Sequence, residues 1–211
     1  MRFSISTLTD FFFPPQCVHC RREGAWLCPD GLTEVQKIQP MIDPLRLTGV
    51  NRVLCAGDYD LPLLGRYIQG LKYDFWTAPV STIVPLLFAK LIDQLPTEAT
   101  IVPIPLHWRR RLARGFNQSD LIARSLAQTT GQPVTHLLQR QRFTTPQATL
   151  KAQQRITNVA GAFRVRPITK MPMNIILVDD VITTGSTIEA CAAVLRTAGA
   201  KHITAIALAK G

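Results

Sequence analysis

The stretch from Asn174 to Thr187, Asn-Ile-Ile-Leu-Val-Asp-Asp-Val-Ile-Thr-Thr-Gly-Ser-Thr, constrains the fold more than any other part of the chain. Its opening, Asn174 to Asp179, is an apolar run rich in β-branched residues, the pattern of a strand buried on both faces of a parallel sheet. Thr183 to Thr187 then form a hydroxyl- and glycine-rich turn into a helix whose Ile188, Ala192 and Leu195 share one face. Parallel strands require crossover connections, usually helical, so this segment directs the chain toward an α/β fold.

The remaining pattern agrees. Val53 to Tyr59, Thr100 to Ile104 and Ile203 to Leu208 read as strands, and Leu61 to Tyr73 and Ala78 to Leu95 as helices, the second disturbed by Pro85. Pro103 and Pro105 cannot donate to a sheet ladder, so their strand must stop there and release a loop. Asn117 or Ser119 can cap the next helix, in which Leu121, Ile122 and Leu126 recur at helical spacing until Gly131 closes it. Alternating strands and helices predict a parallel sheet flanked by helices. At 211 residues the chain has room for one main domain, placed at residues 46–211, and a small appendage, residues 1–45, which shows little periodicity.

Asp179 and Asp180 follow a central strand, and ligands of open α/β sheets bind at the carboxyl ends of such strands. Their lone pairs suit sugar hydroxyls or a hydrated magnesium ion. In the turn, backbone N–H groups at a helix N-terminus favour an anion, Gly185 allows close approach, and Thr184, Ser186 and Thr187 add hydroxyl donors. Hydroxyl acceptors just ahead of a phosphate cradle describe a pocket for a ribose 5-phosphate.

Charge adds a second signal. The chain carries 24 Lys and Arg against 14 Asp and Glu, a formal charge of +10, and the excess is local. Between Ile101 and Lys170, twelve bases, ten of them Arg, face one acid, Asp120. The planar Arg fork matches phosphate oxygens, so the segment reads as a surface for nucleic acid or for a small molecule bearing pyrophosphate. Trp108, Phe116 and Phe143, interleaved with these bases, are candidates for base stacking or for the core.

No apolar run approaches the roughly 18 residues that cross a bilayer, and Met1 to Phe13 lacks a secretory cleavage pattern, so a cytoplasmic location is expected. Five cysteines then argue for reduced thiols or a metal site rather than a disulfide framework. Cys17, Cys20 and Cys28 cluster, and two C-x-x-C pairs would make a closed zinc site, but Gly31 stands at the fourth position. The set could be completed by His19, Asp30 or distant Cys55, or the knuckle is held without metal by Phe12, Trp26 and Leu27. Cys191 reads as a core residue.

The apolar strand, paired acids and T-G-x-T turn resemble the type I phosphoribosyltransferases. Val102-Pro103-Ile104-Pro105-Leu106-His107-Trp108-Arg109-Arg110-Arg111, Arg114-Gly115-Phe116-Asn117-Gln118, Arg155 with Asn158, Gly161-Ala162-Phe163 and the cysteine cluster resemble, in that order, the ComF and GntX competence group. The resemblance covers nearly the whole chain. It implies that Asp179 and Asp180 hold the ribose hydroxyls of phosphoribosyl pyrophosphate, with magnesium, and that Thr183, Thr184, Gly185, Ser186 and Thr187 hold the 5-phosphate. Arg109, Arg110, Arg111 and Arg114 would meet pyrophosphate or a DNA backbone. Purine-specific relatives commonly place a carboxylate where this chain has Thr183, and threonine is no general base near neutral pH; His107 in the arginine loop is a candidate instead.

Two functions follow from the resemblance and the charge. One is the handling of single-stranded transforming DNA in natural competence, beside the DNA-uptake machinery. The other is transfer of phosphoribose to a small nucleobase or amine.

Overall fold

The computed structural model describes residues 14–108, 112, 114–141 and 161–211. In chain order these residues form α1 (Pro29–Lys37), β1 (Met41–Ile42), β2 (Arg52–Asp58), α2 (Pro62–Tyr73), α3 (Val80–Phe88), β3 (Thr100–Pro103), α4 (Gln118–Thr130), β4 (Leu138–Arg140), β5 (Phe163–Val165), β6 (Asn174–Ile182), α5 (Ser186–Thr197) and β7 (His202–Lys210). The main sheet has the order β1-β2-β7-β6-β3 and is parallel except for β1, which pairs antiparallel with β2 at one edge. A second, two-stranded antiparallel sheet joins β4 and β5.

Apolar side chains of the central strands alternate between two cores. Leu54, Ile176, Val178 and Ile206 join one core with Leu64, Ile68, Ile83, Ile122 and Leu126 of α2, α3 and α4. Their neighbours Val53, Cys55, Ile175, Leu177 and Ala205 join the other, with Ile188, Cys191, Ala192 and Leu195 of α5 and Leu138 and Phe163 of the small sheet. With both faces covered, the strands must be apolar at every position, which is why they read as continuous runs in the sequence.

Several expectations shift in detail. β6 runs three residues past Asp179, because β7 is long enough to pair with it through Ile182↔Lys210. Both acids therefore lie inside the strand. The helix expected over Ala78–Leu95 ends at Phe88 with Pro85 inside it, and a 3-10 turn at Ile92–Gln94 follows, with Leu91 fully buried between the two. The stretch read as lacking periodicity holds α1 and β1.

The cysteine-bearing segment is tied to the main sheet's helices by two cationic side chains. Arg66 of α2 donates to the carbonyls of Val18 and His19, and Lys90, just past α3, donates to those of Gln36 and Ile38 at the end of α1. Among the described residues no helix is long and apolar enough to cross a membrane.

Candidate functional site

A cleft of about 1010 Å³ opens over the carboxyl ends of β2, β3, β6 and β7. Asp58, Tyr59 and Asp60 enter it from the end of β2, Ile104 to Leu106 from the end of β3, and Asp179, Asp180, Thr183 and Thr184 from β6 and its turn. Lys72 and Tyr73 of α2, Ser119 of α4, Arg114, Arg140, Lys210 and Gly211 complete the wall, with Thr187 in the first turn of α5.

Successive side chains of a strand point to opposite sides, and this separates the partners of the two acids. Asp180 Oδ2 lies 3.1 Å from Lys72 Nζ, both side chains being largely buried. Asp179 Oδ1 accepts from Ser119 Oγ at 3.0 Å and from the Asp180 amide at 2.9 Å. Burial and the neighbouring Asp180 carboxylate push Asp179 up to about 7, against the pull of those hydrogen bonds and of Lys72. Burial works to discharge Lys72, but Asp180, with Asp179 and Tyr59, holds its ammonium above the ordinary range.

The turn is shaped from within and from outside. Gly185 has φ +80°, the left-handed region, and a Cβ there would lie 2.3 Å from Leu47 Cδ2. Only glycine meets both conditions. Thr184 Oγ1 donates to Ser186 Oγ at 3.2 Å, and the Glu189 amide bonds the Gly185 carbonyl at 2.9 Å to start α5. Glu189 in turn accepts from the Thr48 amide at 2.7 Å, so the loop before β2 braces the turn.

The structure thus brings Asp179, Asp180, Thr183, Thr184, Thr187 and Arg114 to one cleft. Gly185 lies beneath Leu47 and Ser186 is buried in the turn, so these two shape the wall rather than line it. Arg109, Arg110, Arg111, Phe143, Arg155, Asn158 and Phe12 lie outside the described residues. His107 is 3% exposed, its ring 5.6 Å from that of Trp108, which is a different setting from an open loop base. Asn117 begins α4, but its side chain donates to the Ile104 carbonyl instead of capping the helix. That bond ties the loop after β3 to the start of α4, and Ser119, two residues on, serves Asp179.

Lys72, Asp58, Asp60 and Tyr73 are cleft residues that nothing in the sequence singled out, and Ser119, expected as a helix cap, and Arg140, one of the twelve bases, were not expected in the site. Asp58 and Asp60 are the more notable because they bring carboxylates to a cleft where the turn itself offers only Thr183.

Cys17, Cys20 and Cys28 form a second site apart from the cleft, with their sulfurs all within 4.8 Å of one another. Cys20 and Cys28 are 3.6 Å apart, near the roughly 3.8 Å that two thiolates span on a tetrahedral zinc. Amides of Cys28 and Gly31 donate to the sulfurs of Cys17 and Cys28, each at 3.3 Å. Burial would raise Cys17, but the amides of Cys20, Cys28 and His19 outweigh it and bring the thiol down to about 7. His19, Asp30 and Cys55 are not in the group, and Cys55 lies in the second core, where burial lifts it to about 12. The donor set fits a thiophilic metal such as zinc with three ligands from the chain.

The family described as phosphoribosyl transferase domain matches residues 112–211. The chain is 31% identical to competence protein F of Haemophilus influenzae over 210 aligned residues, covering 93% of this chain and 85% of that protein. It is 33% identical to the DNA utilization protein YhgH of Escherichia coli K12, covering 89% of this chain and 85% of the relative. Competence protein ComFC of Bacillus subtilis is 35% identical over 89 residues, covering 42% of this chain and 35% of that protein.

Proposed function

Because the chain belongs to the ComF family of type I phosphoribosyltransferases, we propose that it serves natural competence by handling single-stranded transforming DNA, and that its cleft binds phosphoribosyl pyrophosphate or a similar sugar phosphate. Relatives named for competence and DNA utilization support the cellular role. The observation that carries the pocket is the convergence of Asp179, Asp180, Thr183, Thr184, Thr187, Lys72 and Arg114 on one cleft.

The donor set suits such a ligand. Asp179 and Asp180 would accept from the ribose hydroxyls and from water on a magnesium ion, and the start of α5 with the threonine hydroxyls would hold the 5-phosphate. Arg114 would meet the pyrophosphate, with Arg109, Arg110 and Arg111 from the same loop region or with those three on a DNA backbone. Lys72 Nζ, 3.1 Å from Asp180 Oδ2, places a cation beside the paired acids. Phosphoribosyl pyrophosphate, when bound, supplies a pyrophosphate leaving group; the chain's own share is positioning and charge stabilisation.

A second reading, transfer of phosphoribose to a small nucleobase or amine, gains from Asp58 and Asp60. Their carboxylates line the same cleft and can accept a proton that Thr183 cannot.

Phosphoribosyl pyrophosphate with magnesium is expected to raise the melting temperature, and Asp179→Asn with Asp180→Asn to abolish the rise. No shift in the parent protein would remove the pocket reading. Single-strand affinity is expected to fall steeply with salt and to weaken when Arg109, Arg110 and Arg111 become Ala; unchanged affinity in that variant would remove the DNA reading.

A further inference from the structure

Beside the cleft the chain exposes aromatic rings that the core does not bury. Tyr73, the last residue of α2, is 65% exposed and lines the cleft, with the Arg114 guanidinium 5.4 Å from its ring centroid. Phe75, two residues on, is 63% exposed and edge-on to Phe116, their centroids 6.1 Å apart. Phe116, expected from the sequence as a candidate stacker, packs against the first core and so anchors Phe75 from below.

The local backbone is built to present these rings. Phe75 has φ +57°, a conformation that bulky residues seldom adopt. The turn is held there by Gly70, whose carbonyl accepts from the amides of both Asp74 and Trp76 at 3.0 and 3.2 Å. Trp76 lies flat on Gly70, so closely that a Cβ there would come within 2.2 Å of the indole. Trp76 is thus turned inward and Phe75 outward. Strain of this kind collects at functional sites.

Single exposed apolar residues need no explanation. Here two exposed rings lie two residues apart, one of them under an arginine at the rim of a cleft, and that arginine belongs to a stretch of sequence with twelve bases and one acid. Aromatic faces beside a basic track are how proteins hold single strands without reading sequence: the bases stack while cations neutralise the backbone.

We propose that Tyr73 and Phe75, with Arg114 over Tyr73, form a base-stacking station for single-stranded DNA at the rim of the cleft. The occupant is a strand rather than a free base because the basic residues extend along many positions of the chain, more than one nucleotide's phosphates would engage. This proposal rests on the single-strand reading above.

The test compares an oligothymidylate with an abasic strand of equal length and charge, by fluorescence anisotropy at one salt concentration. Tyr73→Ala is expected to weaken oligothymidylate binding about tenfold, Phe75→Ala less, and Tyr73→Phe to bind as the parent does. The parent should prefer the base-bearing strand by the same factor, and Tyr73→Ala should lose that preference while its salt slope stays unchanged, since no charge is removed. An exposed tyrosine can be cut back without unfolding the chain, and equal melting temperatures would verify this. If the parent binds no strand, the single-strand reading fails and takes the station with it. If the parent binds but Tyr73→Ala keeps both affinity and preference, the station alone is overturned. Displacement of the strand by an equal concentration of free thymine would also overturn it, assigning the rings to a small acceptor.

Discussion

Lys72 Nζ sits 3.1 Å from Asp180 Oδ2, linking the last turn of α2 to the middle of the paired acids of β6. Two adjacent carboxylates within one strand repel each other, and a single largely buried ammonium offsets that repulsion from one side. Lys72→Met is therefore expected to destabilise the protein by about 2 kcal/mol, less than a fully buried pair would lose. Adding Asp180→Asn should restore most of that loss, as chemical denaturation of the two single variants and the double variant would reveal. Equal losses that simply add would mean the contact contributes nothing.

The same pair of acids gives the protein a pH signature. Asp179 is raised in the folded state from its ordinary value of 3.8 to about 7, so its favourable contribution is complete below the ordinary value and is lost as pH rises through 7. Asp179→Asn removes that loss. The variant should gain stability over the parent progressively between about pH 4 and pH 7 and keep that gain above it, on the order of 2 kcal/mol. A ligand that needs the ionised carboxylate should bind the parent more tightly as pH rises through 7 and release protons below it. Calorimetry in buffers of different ionisation enthalpy measures that release directly, and a melting temperature difference flat with pH would contradict the assignment.

Gly185 carries two constraints that can be separated. Gly185→Ala meets both the unfavourable φ of +80° and the Leu47 side chain, and should cost more than about 2 kcal/mol. Leu47→Ala in that background should recover the part due to the clash and leave about 1 kcal/mol from the backbone. Thermal denaturation of the four proteins resolves the two contributions; full recovery would show that φ is not a constraint.

What the sequence disclosed and what it withheld follow from how far each signal travels along the chain. The run from Asn174 to Thr187 carries strand, acids and turn within fourteen consecutive residues, so both the fold class and one wall of the cleft were legible. Strand ends were less so, because β6 extends past Asp179 only where β7 supplies partners, and pairing is not written in either strand alone. Lys72 lies more than a hundred residues before Asp180, and nothing around it marks it as different from other surface lysines. Asp58 and Tyr73 were hidden for the same reason. Phe116 sits among the arginines as a stacking residue would, yet the side of its loop that faces the core turns it inward, while Phe75, outside the arginine-rich stretch, is turned out by Trp76 and Gly70.

The cysteine site yields the last prediction. Three sulfurs within 4.8 Å leave one corner of a tetrahedron without a cysteine, and a Cβ built at Gly31 would lie 3.5 Å from Cys17 Sγ, facing the group. The crowding there comes from Leu27 Cδ1 at 2.9 Å, the far end of a flexible side chain, and from His19 Cβ at 3.0 Å. The parent protein should bind one equivalent of zinc and lose it to a moderate chelator, and Cys20→Ser should bind markedly less. Gly31→Cys should close the site and slow removal of the metal by at least tenfold, since a fourth thiolate replaces an exchangeable ligand. Cobalt substitution makes the change visible, because charge-transfer absorption grows with each thiolate bound. If the parent takes up no metal while Gly31→Cys does, the cluster is a knuckle held by its amide-to-sulfur bonds and packing, and the three cysteines alone are too few ligands.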